Sequence, residues 1–191
     1  MKKYINYIIV IGFVVFSYFC FLKFYYPEND LPKLYKLPNF NFLMLDGTSY
    51  TEKDMEDNIS VVNFFYTSCP AICPTMMSQM NLLYKEIDNE KVKFVSFNVD
   101  PMVDSKDKIK EFSDQLDISG KDRWNLIMTS SEQISALCEK GFKFNADNLP
   151  YDHPMKLILV DDDLMIRGYY DYQSTEQMNK IISDIGQIIN S

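Results

Sequence analysis

The sequence predicts an α/β sandwich, a mixed β-sheet flanked by helices. Strand-like and helix-like segments alternate along most of the chain. Residues 59–66 form a near-continuous apolar run with β-branched residues, the pattern of a central strand covered on both faces. The chain then closes on two adjacent strand-like segments and a helix.

The elements follow in order. Residues 41–45 read as a strand entering a turn at Asp46-Gly47, the start of an extra N-terminal hairpin. Thr51-Glu52-Lys53-Asp54 has capping-box spacing and starts a short helix. A helix from Pro74 to about Asp88 carries Met77, Met80, Leu83, Tyr84 and Ile87 on one face. Residues 92–99 alternate as a strand that ends at Asp100-Pro101. Asp104 then caps a helix through Ile109, Phe112 and Leu116. Residues 126–128 are a short strand, and Ser130 or Ser131 opens a helix that stops near Gly141. Residues 157–160 and 165–170 pair as a hairpin. The final helix, 174–189, carries Met178, Ile181, Ile182, Ile185 and Ile189. The order β-α-β-α-β-β-α behind a hairpin is that of a thioredoxin-like fold.

Ahead of this domain, residues 5–22 form an apolar run broken only by Asn6, Gly12 and Ser17. As a helix it spans about 27 Å, close to the hydrocarbon thickness of a bilayer. A cleaved signal peptide and a retained signal anchor compete for this segment. Tyr18-Phe19-Cys20-Phe21 offers no small residues for a signal peptidase and none before Cys20 for a lipid anchor, which favours the retained helix. Lys2 and Lys3 hold the N-terminus in the cytoplasm and send the rest across to the periplasm or its equivalent. Pro27, Pro32 and Pro38 mark a semi-rigid stalk. The expected organisation is residues 1–25 for the cytoplasmic lysines and transmembrane anchor, 26–38 for the stalk and 39–191 for the folded domain.

Charge narrows the function. The 191 residues carry 19 basic and 27 acidic side chains, a net charge of −8. Lys2, Lys3 and Lys23 precede every acid, so the remainder holds 16 basic against 27 acidic groups, a balance of −11. Such a surface repels phosphate backbones and excludes a nucleic-acid partner. The single His rules out any site that needs two imidazoles from one chain.

The chemistry gathers in Thr67-Ser68-Cys69-Pro70-Ala71-Ile72-Cys73-Pro74, between the central strand and the first long helix. Pro74 suits the first helical position, which puts Cys73 at the cap and Cys69 in the loop before it. The positive end of the helix favours a thiolate there. Three residues between the cysteines, one more than in the usual dithiol redox motif, let both sulfurs face one metal ion. The competing reading is a structural disulfide or a pair of packed thiols. His153 stands just before the 157–160 strand, held extended by Pro154. In a thioredoxin-like fold that strand entrance lies beside the cysteine-bearing helix, and a Cys/Cys/His trio suits copper, Cu(I) especially, or zinc. Asp100, at a strand end, is a candidate to orient His153 or the thiols; its alternative is turn chemistry ahead of Pro101. Cys138, Met76, Met77 and Met80 sit at helical spacing and read as core, Cys20 lies in the anchor, and Asp161-Asp162-Asp163 reads as a solvated turn.

These motifs resemble the Sco (SenC-type) family of membrane-anchored copper proteins. The matching segments are the Thr67–Pro74 dithiol, Val99-Asp100-Pro101-Met102-Val103-Asp104-Ser105, Asp152-His153, and Leu159-Val160-Asp161 with Arg167-Gly168-Tyr169-Tyr170. The resemblance implies a thioredoxin-like fold and copper bound by Cys69, Cys73 and His153. It also implies a role in assembling the binuclear copper centre of cytochrome c oxidase, as copper donor or as reductant of the target's cysteines. The implied partners are the copper-bearing oxidase subunit, an upstream copper donor and a thiol reductant. Two departures stand out: Asp161-Asp162-Asp163-Leu164 where the family usually has Asp-Pro-Asp-Gly, and Pro154 where it commonly has a small hydroxyl residue. The rival function is a thiol–disulfide oxidoreductase with Cys69 and Cys73 as its catalytic pair. A peroxidase reading lacks a Thr/Ser-x-x-Cys motif with a supporting Arg near the dithiol.

Overall fold

The computed structural model describes residues 7, 11–18, 20–21 and 31–190. It divides into two compact units, residues 1–31 and 32–191. In the first, residues 7, 11–18 and 20–21 are helical, and Ile11, Phe13, Val14, Val15 and Phe16 are exposed. Among the described residues no helix is long and apolar enough to cross a membrane. The anchor expected over residues 5–22 lies partly outside the described residues.

The second unit is built on one seven-stranded sheet. Its strands are β1 (Asn41–Met44), β2 (Ser49–Thr51), β3 (Ile59–Phe65), β4 (Val92–Asn98), β5 (Trp124–Met128), β6 (Leu157–Val160) and β7 (Ile166–Tyr170). Their spatial order is β2-β1-β5-β4-β3-β6-β7. β3, β4 and β5 run parallel, and the remaining pairings are antiparallel. The helices are α1 (Ile72–Glu86), α2 (Lys106–Gln115), α3 (Ser131–Ala136) and α4 (Thr175–Ile189); a π turn, Leu137–Gly141, continues α3.

β3 is buried at every residue because both faces of the sheet are covered. Val61 and Phe65 join one core with Met76, Met77 and Met80 of α1, Ile109 and Phe112 of α2, and Ile181 and Ile185 of α4. Val62 and Phe64 face the opposite way, into a core with Ile134, Leu137 and Phe142 and with Phe40 and Phe42 of the N-terminal segment. The expected hairpin, β1–β2, joins the main sheet through the pairs Leu43↔Met128 and Met44↔Ile127. The Thr51–Asp54 box forms as a 3-10 turn, with the Thr51 N–H and hydroxyl both donating to the Asp54 carboxylate.

Two expectations change. The first half of the stalk lies outside the described residues as far as residue 30, but the second half belongs to the domain. Leu34 N–H donates to Ile166, Ile166 N–H to Tyr35, and Leu37 N–H to Leu164, so this segment pairs with the start of β7. Prolines at 32 and 38 leave those intervening N–H groups free to pair, and Leu37 is buried. The helix cap also differs: Ser105, not Asp104, caps α2, its hydroxyl accepting from Lys108 N–H at 3.3 Å. At the β6–β7 turn, the Asp161 carboxylate accepts the N–H groups of Asp163 and Met165 and pairs with Arg167 at 2.8 Å. Leu164 takes φ 65 there, a conformation that glycine adopts at lower cost.

Candidate metal centre

The site forms where three loops meet at one end of the sheet. Parallel pairing of Phe65 with Asn98 sends the chain out of β3 and β4 side by side, into residues 66–71 and 99–105. β6 runs antiparallel to β3, so the loop before it, with His153, arrives at that same end. Asp104 ties the first two loops together. Its carboxylate, 2% exposed, accepts Thr67 N–H at 2.9 Å, the Thr67 hydroxyl, and the Asn98 side-chain amide at 2.6 Å.

α1 begins at Ile72 with Ala71 as its cap. Cys73 is therefore the second helical residue and Pro74 the third, two positions deeper than the sequence predicts. Proline fits there because no N–H of the first turn has an intrahelical acceptor. The consequence is a division of roles between the sulfurs. Cys73 N–H, at the helix end, donates to Cys69 Sγ at 3.3 Å. Cys73 itself is fully buried, one turn above Met77 in the core. The thiol that the helix end serves is thus Cys69 rather than Cys73.

His153 is 3% exposed. Its Nε2 lies 3.4 Å from Cys73 Sγ, and its Nδ1 lies 3.2 Å from the Pro154 carbonyl. A carbonyl only accepts, so Nδ1 carries the proton and Nε2 presents its lone pair to the sulfur. The Tyr66 ring meets the imidazole edge-on, with centroids 5.4 Å apart. One donor atom from each of Cys69, Cys73 and His153 lies within 4.8 Å of the other two. Two thiols and an imidazole are a soft donor set that fits Cu(I) or zinc.

Burial and hydrogen bonding set the protonation states. At Cys69, burial raises the thiol, but the hydrogen bonds from Cys73 and Ala71 outweigh it and hold it below its ordinary value. At Cys73, burial pushes the thiol well up, reinforced by Cys69 and by the Asp104 charge. Burial holds His153 below its ordinary value, so the ring is neutral. Tyr66 is pushed up to about 12, by burial first and then by Cys69, so it remains a phenol.

Asp100 does not join the site. Its backbone carbonyl accepts the N–H groups of Val103 and Asp104, closing the turn ahead of α2. Among the described residues its side chain has no hydrogen bond to Cys69, Cys73 or His153. The carboxylate that reaches the dithiol loop is Asp104, read from the sequence as a cap. Nothing in a single sequence distinguishes an Asp that caps a helix from one that ties a loop. Met76, Met77 and Met80 are fully buried, and burial raises the Cys138 thiol to about 12, so all four pack as expected. Asp161, Asp162 and Asp163 bring three carboxylates together, but the turn N–H groups and Arg167 occupy that of Asp161.

Fold and site together define a thioredoxin-like domain with a buried dithiol–imidazole cluster able to hold a soft metal ion. A profile of the SCO1/SenC family matches residues 30–190, and the chain belongs to that family. It is 27% identical over 161 residues to the SCO1 protein homolog of Bacillus subtilis, covering 81% of this chain and 83% of that one. It superposes on a SCO1/SenC family lipoprotein from Bacillus anthracis with a TM-score of 0.73 at 28% identity, covering 81% and 95% of the two chains. With BsSco, described as a member of the Sco family of cytochrome c oxidase assembly proteins and as having a disulfide switch, the TM-score is 0.72 at 26% identity, over 82% and 95%. Sco structures solved with copper bound share the fold at 18–20% identity and TM-scores of 0.60–0.65.

Proposed function

We propose that this chain is a membrane-tethered copper chaperone that assists assembly of the binuclear copper centre of cytochrome c oxidase. Copper is its cargo, taken by the Cys69 and Cys73 sulfurs and His153 Nε2. The observation that carries the reading is the fixed imidazole: the Pro154 carbonyl holds the proton on Nδ1 and leaves Nε2 free, 3.4 Å from a thiol. Thiols must lose protons to bind a metal, and the helix-end N–H that lowers Cys69 favours that loss. Family membership and the assembly role described for BsSco support the oxidase as the destination. The tether is the apolar N-terminal helix, with the domain outside the cytoplasm; its exposed large apolar residues suit a lipid surround.

The test is anaerobic competition between the reduced full-length protein and a calibrated Cu(I) chelator. His153→Ala lowers the affinity at least tenfold. If affinity and coordination stay the same without the imidazole, the chaperone reading fails.

A second reading, thiol–disulfide exchange on target cysteines, draws on the unequal thiols. Cys69 as thiolate attacks one sulfur of a target disulfide, forming a mixed disulfide and expelling the other sulfur as thiolate. Cys73 then gives its proton to the adjacent His153 Nε2 and attacks Cys69 Sγ, releasing the reduced target and leaving a Cys69–Cys73 disulfide. Target reduction by metal-free protein that is lost in Cys69→Ser and slowed in His153→Gln would separate this role from copper delivery.

A further inference from the structure

The chain has eleven methionines, and ten lie among the described residues. Eight of those ten are buried or half-buried. The two exposed ones, Met102 at 85% and Met155 at 46%, both sit on loops that build the metal centre. Met102 is at the turn between β4 and α2, two residues before Asp104, whose carboxylate grips Thr67 in the dithiol loop. Met155 is two residues after His153. Two extended residues span about 7 Å, so Met155 stays close to the imidazole that it follows. Apolar residues on a surface need no explanation singly. Here Ile72, Met102, Val103, Tyr151 and Met155 are half of the ten large exposed apolar side chains in residues 31–190; the last four lie on the loops of the site, and Ile72 opens α1 directly after the dithiol loop.

We propose that Met102 and Met155 form an outer thioether station for Cu(I) at the mouth of the Cys69–Cys73–His153 site, through which the ion enters and leaves. The inference rests on the copper-chaperone reading and adds a route to it. The three inner donor residues are 6%, 0% and 3% exposed, so an ion from a donor protein meets the rim before it meets a thiol. Thioethers suit that first contact. They are soft donors that favour Cu(I) over Mg²⁺ or Ca²⁺. They bind without losing a proton and do not close into a disulfide in an oxidising compartment. Transfer inward is ligand exchange with no change of oxidation state: a Cu(I)–thioether bond breaks as a Cu(I)–thiolate bond forms, and the proton of Cys73 leaves to solvent. Met76, Met77 and Met80 have the same chemistry but no exposure, which makes them internal controls.

The experiment uses the full-length protein in detergent micelles, with methionine methyl groups carrying ¹³C and with Ag(I) as a redox-inert stand-in for Cu(I). In Cys69→Ser/Cys73→Ser protein, Ag(I) shifts the methyl resonances of Met102 and Met155 and leaves those of Met76, Met77 and Met80 in place. In protein with both cysteines, Met102→Leu/Met155→Leu slows anaerobic Cu(I) uptake from a chelator at least fivefold, while the equilibrium affinity stays within twofold. Rim methyl groups that do not respond to Ag(I), or an unchanged uptake rate in the double Leu variant, overturn the inference and leave the chaperone reading standing. A wild-type chain that takes up no Cu(I) removes both.

Discussion

Asp104→Ala removes one carboxylate and leaves three donors behind: the Thr67 N–H, the Thr67 hydroxyl and the Asn98 side-chain amide. Hydrogen bonds to a charged group contribute about 1.5–3 kcal/mol each. The three do not add in full. Thr67 is half-buried, so water replaces part of what it loses, and the Asn98 amide keeps a weaker contact with the Phe65 carbonyl at 3.5 Å. Asn98 is fully buried, however, and no water reaches it without opening the loop. The net cost is about 3 kcal/mol, or about 6–12 °C in Tm for a domain of this size. Trp124 is the only tryptophan and is 5% exposed, so its fluorescence reports thermal unfolding directly. Asp104→Asn keeps the shape but replaces one acceptor by a donor, and its loss is intermediate. Should Asp104→Ala unfold within about 0.5 kcal/mol of wild type, as a change at an ordinary surface site does, the carboxylate does not hold the dithiol loop.

The packing around Tyr170, the two thiols and His153 sets three further outcomes. A Cβ at Gly168 would lie 2.6 Å from the Tyr170 hydroxyl and 2.8 Å from its ring, and Tyr170 is buried and bonded to Asp184 at 2.6 Å; Gly168→Ala therefore costs about 1–3 kcal/mol by urea denaturation, and part of that cost is already absent in a Tyr170→Phe background. Because Cys69 lies below and Cys73 above its ordinary thiol value, iodoacetamide labels Cys69 first, its rate rising at lower pH than for a free thiol, while Cys73 and Cys138 stay unlabelled by mass spectrometry; equal labelling of Cys69 and Cys73 would contradict the helix-end hydrogen bond. Burial lowers His153, so the unfolded chain binds more protons than the folded one just below the ordinary histidine value, and stability falls as pH drops through that window; in metal-free His153→Ala the stability between pH 7 and 5 declines less steeply.

Much of the architecture was legible because apolar periodicity carries it. The run at 59–66 emerged as the fully buried β3, and Met77, Met80 and Leu83 face the core as their spacing requires. Less legible was anything decided by competition between two local roles. Ser105 and Asp104 are both good caps, and only the packing of Asn98 and Thr67 shows which one is recruited away. Pro74 marked the first turn of α1 but not its position within that turn, since no N–H of that turn has an intrahelical acceptor to lose. The prolines at 27, 32 and 38 suggested a semi-rigid stalk, yet the N–H groups of Leu34 and Leu37 found carbonyls at and just before the start of β7.

The residues alone determined the inventory of the site: two cysteines with three residues between them, a single imidazole that must serve if any does, and an acid-rich chain around them. They also determined that a strand would lead into the first cysteine and a helix carry the second. Tertiary structure decided which cysteine the helix end serves. An N–H at the end of α1 points at Cys69, while the sheet and helices close over Cys73, and neither direction is written in the spacing. It also decided which aspartate matters. Hydrogen bonds and burial act across 37 residues of chain between Thr67 and Asp104 and 80 between Cys73 and His153, and distance in sequence carries no information about them until the strands have paired.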